Sequence, residues 1–401
     1  MELDIFFSIS QTEVDGYMPD ERTMFANFFE QVELADKLGF GTAWVAESHL
    51  STEVQKTNPG AVIPHFVGEI GLNTDILQLA TRVFARTKRI GVGSAILNIL
   101  CNGGPIAHAE RIKTFLAMHG LDPDERRILT IGFASGRFPF INIPYGIVPR
   151  NAVEEAAWPV MKNKIFEEAT EIFLRLLRGE TLNSSMIAPR FLRRSDFRSD
   201  ADWDRVSNGQ DEVPIEPRWR FPNLKIVPQE SRMDLLQLSI GSHDPATQHL
   251  ANQFLPVGVF NLSITPGDEI EKTNARMKDH YHPDGGPWRR RLMPRTVLVF
   301  IDDDATVAAA NARKALENYW RALEGTLDEE KVRRATNNAL IGTPDDIAKQ
   351  VRERFDPEDR LMLWFDFNNH DSKRVMRSME LFMTEVAPVI LSREDGEGSP
   401  A

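Results

Sequence analysis

The sequence predicts an α/β protein, a single (β/α)8 TIM barrel, and three observations carry that reading. Eight short runs rich in β-branched and aromatic residues, at 3–8, 42–46, 90–97, 128–133, 236–240, 257–262, 296–300 and 361–365, alternate with longer segments of helical period. The runs suit strands buried on both faces, covered by helices outside and a packed core inside. No run carries the signal of an exposed sheet edge, which favours closure over an open doubly wound sheet.

Each element has a local reason. Between the first two runs, FANFFEQVELADKLGF spaces Phe28, Val32, Ala35 and Leu38 three or four apart, and Gly39 stands where a helix stops. That is a β–α–β unit. Further helices read at 76–86, 107–118, 153–177, 305–323 and 344–354. The last opens on Thr343-Pro344-Asp345-Asp346, an N-cap followed by proline and two acids at the positive end of the helix dipole. Two stretches break the alternation, 51–74 and 182–227, the second dense in charge and proline and holding Trp203 and Trp219. Both predict loop insertions over a barrel face. The barrel is expected to occupy 1–391 as one domain, with 392–401 a disordered tail.

Composition excludes several function classes. With 42% hydrophobic residues in 401, the chain can bury a sizeable core, and general disorder is excluded. Lys and Arg number 47 against 59 Asp and Glu, a formal charge of −12 that repels phosphate backbones and anionic lipid. Nucleic acid and membranes are therefore not expected partners. No apolar run approaches the roughly 18 to 20 residues that span a bilayer. A lone Cys101 cannot form an internal disulfide, and the opening MELDIFFSIS is acidic where a signal peptide needs positive charge. A cytoplasmic location is the expectation.

Within AWVAESHL (43–50), Glu47, Ser48 and His49 fall at the C-terminal end of a barrel strand, where active sites of this fold are built. The bland alternative, a loop histidine bonded to Glu47, weighs about equally on pattern alone. Gly91-Val92-Gly93 lacks the third glycine of a dinucleotide fingerprint. Ser135, Gly136 and Arg137 end the fourth run, where Gly132 and Gly136 let backbone approach a ligand without the spacing of a nucleophile elbow. Ser242-His243-Asp244 cannot be a triad, because adjacent residues do not line up nucleophile, base and orienter. Gly241 and Ser242 do open a helix after a strand, which offers free N–H groups to a phosphate. His280 and His282 lie in a Pro/Gly-rich stretch without acids or cysteines at ligand spacing, so a solvated loop and no metal are expected.

Taken in order, LDIFF, AWVAESH, RIGVGSAI, GPIAHAE, ILTIGFASG, FPNLKIVP (221–228), LSIGSHDPAT and IGTPDDIAKQV resemble the bacterial-luciferase-like, flavin-dependent monooxygenases, a (β/α)8-barrel family, through most of 1–391. The resemblance implies an enzyme of reduced FMN and O2. Their C4a-peroxyflavin survives only where water is excluded, and it oxygenates a small or medium organic substrate. It also implies a separate flavin reductase and a homodimer through the early helices. The family's non-prolyl cis peptide against the flavin is matched by Ala95 and Ile96. Its phosphate-binding positions are matched by Ser242 and, with the spacing off by one residue, by Thr247, with His243 between them; its strand-two carboxylate is matched by Glu47. His49 is then the proton donor or acceptor at the flavin.

Two departures matter. The catalytic luciferase subunit has paired histidines after that glutamate, and the first aligns with Ser48. Its helix start carries an arginine for the flavin phosphate where this chain has Ala107, so a cationic contact worth about 1.5–3 kcal/mol is missing, with the unaligned Arg137 as substitute. Both departures resemble the non-catalytic subunit. The stretch 302–340 leaves no room for the luciferase's long lid, and the additions at 51–74 and 182–217 are placed to cover the site instead. Three functions are then open: an FMN monooxygenase, an F420-dependent oxidoreductase of the same superfamily, and a catalytically silent flavin-binding or partner subunit.

Overall fold

The computed structural model describes residues 1–58, 65–323 and 338–392. The expected tail therefore lies outside the described residues from 393 onward, as do 59–64 of the first insertion and 324–337 of the stretch after the seventh run.

All eight runs are strands: β1 Glu2–Phe7, β2 Thr42–Val45, β3 Gly91–Asn98, β4 Leu129–Ala134, β5 Leu236–Ile240, β6 Gly258–Val259, β7 Arg295–Ile301 and β8 Arg360–Trp364. They pair in parallel in that order, and β8 returns to β1 with Leu3 opposite Leu361 and Phe6 opposite Trp364. Between β6 and β7 the sheet closes at one residue: Asn261 N–H donates to Pro294 O (2.9 Å) and Thr296 N–H to Asn261 O (3.0 Å). An additional short strand, Leu340–Gly342, runs beside the C-terminal half of β7.

Helices follow the strands: α1 Glu21–Leu38, α2 Ile76–Arg86, α3 Gly104–His119, α4 Trp158–Leu177, α5 Pro245–Ala251, α6 Gly267–His280, α7 Ala305–Leu323 and α8 Ser372–Leu381. Helix α1 ends at Gly39 in the left-handed region (φ 93°) and buries Phe28, Val32 and Ala35. The Thr343 cap forms as expected, reciprocally with Asp346. The segment 153–177 is two helices, Ala152–Ala156 and α4, because Ala157 leaves helical geometry and Pro159 has no N–H to continue the ladder. No described helix is long and apolar enough to cross a membrane.

The insertions are more ordered than loops. In the first, Gly68–Glu69 pairs antiparallel with Gln11–Thr12. The second carries a hairpin of Arg190–Arg193 with Glu212–Ile215 around the helix Asp200–Ser207. Its base is closed by paired backbone bonds of Leu182 and Leu224 (2.9 and 2.8 Å). Helix α4 and the short helix before it hold the rest with buried acids. Glu168 of α4 accepts N–H bonds from Arg218 (3.0 Å) and Trp219 (3.1 Å), while Glu154 of the short helix receives Arg150 and Arg218. Polar anchoring of this kind leaves no hydrophobic period in the sequence, so the hairpin is silent there.

Inside the barrel, Phe6, Trp44, Phe260 and Met362 pack together. Gly93 is glycine because a Cβ there would lie 2.6 Å from the Trp44 ring. Beneath them Asp4 joins three strands. It accepts Thr42 N–H (2.9 Å), the Trp44 indole (2.7 Å) and Arg360 Nε (2.6 Å), and Arg360 lies over the Trp44 ring at 5.5 Å. Burial raises the Asp4 carboxyl above its ordinary value, and Arg360 and Trp44 pull it back. Removing one member of a buried pair strands the other. Asp4→Ala is therefore expected to lower unfolding free energy by about 3–5 kcal/mol in urea titration, and a loss under about 1 kcal/mol would show that the seam holds without it.

Candidate active site

The C-terminal mouth of the barrel is lined by residues that interrupt the burial of the strands. Ala46, Ala95, Ile96, Ala134, Ser135, Gly241, Ser242 and Trp364 are half-buried, whereas the strand residues beneath them are buried. The Ala95–Ile96 peptide is cis, as the resemblance implied. Gly241 keeps the floor low, since a Cβ there would lie 2.7 Å from Ile96 Cδ1 and 3.2 Å from Ala134 Cβ. Aromatic rings form one wall: Phe6 on Trp364 (4.5 Å), Trp364 on Phe367 (4.7 Å) and Tyr319 of α7 on Phe367 (5.2 Å). Arg137 reaches across to the Tyr319 hydroxyl, which burial raises above its usual range. Trp219, brought by the second insertion, lies against Gly104 at the start of α3.

At the end of β2, His49 Nε2–H donates to Glu47 Oε1 (3.2 Å), and Glu47 Oε2 accepts the Ile76 N–H that opens α2 (3.1 Å). Glu47 is thus pinned by a helix N-terminus and in turn fixes the imidazole. His49 is 6% exposed, so it is a buried residue bonded to its neighbour Glu47 and not a surface one. Ser48 is buried, and its Oγ has no partner among the described residues. Behind this pair stand Cys101 and His108. Burial, with the charge of Glu47, pushes the Cys101 thiol up to about 12, which removes it as a nucleophile. Burial, helped by Arg111, holds His108 down to about 4, and its Nε2–H donates to Cys101 O (3.1 Å).

The cofactor candidates occupy the adjacent arc of β3, β4 and β5. Gly136 adopts φ 75° above the Asn98 amide, and Asn142 donates to Ser135 O (2.9 Å). His243 Nε2–H donates to Asn261 Oδ1 (3.0 Å), tying the end of β5 to the closing residue. Thr247 is fully buried, and both its N–H (2.8 Å) and its hydroxyl (2.6 Å) donate to Asp244. The N-terminus of α5 is thus capped by its own acid, and Ser242 Oγ accepts the Asp244 N–H (3.3 Å).

One residue the sequence pattern did not single out stands in this arc. Lys162, one turn into α4, donates to Gly136 O (2.6 Å) and has no acidic partner among the described residues. Burial lowers its pKa. A signal was present: Lys162, Phe166, Ala169 and Phe173 share one helix stripe, so a lysine begins an otherwise buried apolar face. Among the described residues, no three His, Cys, Asp or Glu side chains gather as metal ligands. His280 packs on His249 (4.8 Å) and His282 accepts from Asp284 N–H, each outside the mouth.

A family model described as luciferase-like monooxygenase matches residues 1–358. No curated protein matches the chain. Among solved structures, the monooxygenase RslO1 from Streptomyces bottropensis is 18% identical with a TM-score of 0.69, over 97% of this chain and 99% of that one. The oxygenating constituent of 3,6-diketocamphane monooxygenase from the CAM plasmid of Pseudomonas putida, in complex with FMN, is 14% identical at 0.57, over 97% and 98%. An F420-dependent secondary alcohol dehydrogenase with an F420-acetone adduct is 14% identical at 0.55, over 97% and 98%. At these identities the likeness is one of fold.

The depressed His108 makes stability depend on pH. Between about 6.5 and 4 the unfolded chain takes up a proton that the folded chain refuses, so stability falls as pH drops through that window. His108→Gln should remove that part of the slope, up to about 3 kcal/mol. Urea unfolding at pH 7 and 4.5 checks it, and an equal acid loss in both proteins would exonerate His108.

Proposed function

The chain belongs to the luciferase-like monooxygenases, and on that premise we propose that it uses reduced FMN, delivered by a separate flavin reductase, and O2 to oxygenate a small or medium organic substrate. The observation that carries this reading is the mouth itself. A floor of small side chains beside the cis Ala95–Ile96 peptide, an aromatic wall and a half-buried lysine on the opposite arc suit a flat ring with an anionic tail. Bound reduced flavin supplies the electrons with which O2 gives an oxygen atom to carbon.

The chain's own residues have separable tasks. Lys162, Ser242 and Arg137 would hold the cofactor phosphate, with Lys162 standing in for the cation that Ala107 does not provide. Glu47 orients His49, and His49 moves the proton at the reacting edge. Trp219 and the Arg137–Tyr319 contact keep water from the mouth. The early helices are the expected contact with a second copy, where Met118 stands exposed on α3.

The deciding experiment titrates the protein with FMN, reduced FMN and F420, then admits O2 and candidate organic substrates with a reductase. Tight binding of F420 in place of FMN would move the reading to hydride transfer. FMN binding without oxygenation of any substrate would favour the silent subunit, for which Ser48 and Ala107 argue.

Replacing the phosphate cation, as in Lys162→Gln, should weaken FMN about 10- to 100-fold, the range of a charge-assisted hydrogen bond. Ser242→Asp should weaken it further by repulsion. Unchanged dissociation constants in both variants would remove the phosphate from this arc. His49→Ala should slow turnover at saturating flavin by about 10² to 10⁴ while the circular dichroism spectrum stays native. Full turnover would reduce His49 to a packing residue.

A further inference from the structure

The N-terminal face of the barrel, opposite the mouth, holds a cavity of about 660 Å³ that no step of the proposed reaction uses. Its origin lies in the strand register. Leu129, Ile131 and Phe133 of β4 and Leu238 and Ile240 of β5 pack outward into the main core, so alternation turns Thr130, Gly132 and Ser239 into the barrel. Thr130 stands opposite Gly93 of β3, and Ser239 stands between Gly132 of β4 and Gly258 of β6. Large side chains enter the interior as Phe6, Trp44, Met362 and Phe260, whereas this arc contributes only small ones. The space left beneath the large ones opens between the loops that precede β5, β6 and β7. Gly258 admits the loop before β7 to one side of it, since a Cβ there would meet Leu292 O at 2.2 Å.

The lining has three parts. Thr130 and Ser239 are 2% and 3% exposed, and neither hydroxyl has a hydrogen-bond partner among the described residues. Apolar walls come from Met233, Leu255, Pro256, Leu292 and Pro294. The charged groups balance: Glu2 pairs with Arg291 (3.1 Å), Arg360 with Asp4 (2.6 Å) and Asp234 with Arg232 (2.7 Å). The other two charged residues of the lining, Arg289 and Asp284, are exposed and opposite in sign. An ion therefore meets no excess charge of either sign, and water alone would satisfy the hydroxyls but leave the apolar walls wet. A ligand hydroxyl can donate to one of these side chains and accept from the other, and an apolar ring behind it covers the walls.

We infer that this cavity is a second ligand site, on the face away from the mouth, for a small uncharged ring compound that carries a hydroxyl group. The hydroxyl ends between Thr130 and Ser239, and the ring lies against Leu255 and Leu292. The N-terminal face of a (β/α)8 barrel ordinarily serves stability. Here Thr130, Ser239 and Gly258 leave it unfilled, and two buried hydroxyls stay without partners, a cost that a bound hydroxyl removes. The inference does not depend on the flavin reading and holds whichever cofactor the mouth takes.

The test is isothermal titration calorimetry of the full chain without cofactor, at pH 7, with p-cresol and its hydroxyl-free analogue toluene as probes. The p-cresol should bind, and toluene should bind more weakly. Thr130→Val and Ser239→Ala should each weaken p-cresol about 2- to 10-fold, the range of one neutral hydrogen bond, and the double variant should no longer prefer it to toluene. Thr130→Val keeps the side-chain shape and removes a hydroxyl without a protein partner, so its midpoint in urea should match or exceed that of the wild type. No binding of p-cresol, or equal binding of toluene, would overturn the inference. So would unchanged affinity in both single variants. A lower urea midpoint for Thr130→Val in a protein that ignores p-cresol would assign the cavity to water. Binding lost in His49→Ala but kept in Thr130→Val would place the probe in the mouth and overturn it as well.

Discussion

Asp4, Trp44 and Arg360 hold the seam at which the first strand of the barrel meets the last. A carboxylate there is costly unless its lone pairs are used, and Asp4 directs its two oxygens to a backbone N–H, an indole and a guanidinium from β2 and β8. The guanidinium covers the indole ring, and the ring fills the space that Gly93 leaves open. Charge, hydrogen bonding and packing thereby specify a single register for β8, β1, β2 and β3. A slip of one residue would place Asp4 outward among the helices and Leu3 within the barrel.

That register sets the character of the mouth. With Phe6, Trp44, Phe260 and Met362 filling the interior, the positions one step above them carry small residues or glycine on β2 to β5 and an aromatic on β8. The floor is therefore low on one side and walled on the other. The helical run from Ala152 to Leu177 adds two further features. Glu154 and Glu168 clamp the second insertion, and Lys162 enters beneath the loop after β4. The insertion is placed both by carboxylates that receive N–H groups and by apolar contact, since Leu192, Phe197, Trp203 and Val206 are buried in the main core.

The two departures from the luciferase pattern have different structural weight. Ala107 stands at a helix start where Trp219 lies against the neighbouring Gly104, and a cation is present instead on α4. Ser48 leaves a buried hydroxyl without a partner, among the described residues, beside a histidine that is already fixed by Glu47. A missing charge can be supplied from another element, because electrostatic attraction is not tied to one backbone position. The imidazole that remains at the end of β2 is His49, which Glu47 holds.

The sequence alone determined the barrel. Eight apolar runs and the caps at Gly39 and Thr343 are local signals, and strand and helix form wherever period, propensity and end groups agree. It also located Glu47, Ser48 and His49, because residues just past a strand are at the mouth in any barrel of this hand, and the resemblance marked Ala95 and Ile96. Tertiary structure decided the rest. Thr247 sits at the matched position, but Asp244 takes both its donors, an outcome set by a side-chain rotamer and not by spacing. Lys162 meets a loop from another strand. Burial lowers the pKa of that lysine, and burial is a property of the folded chain that no short window of sequence contains.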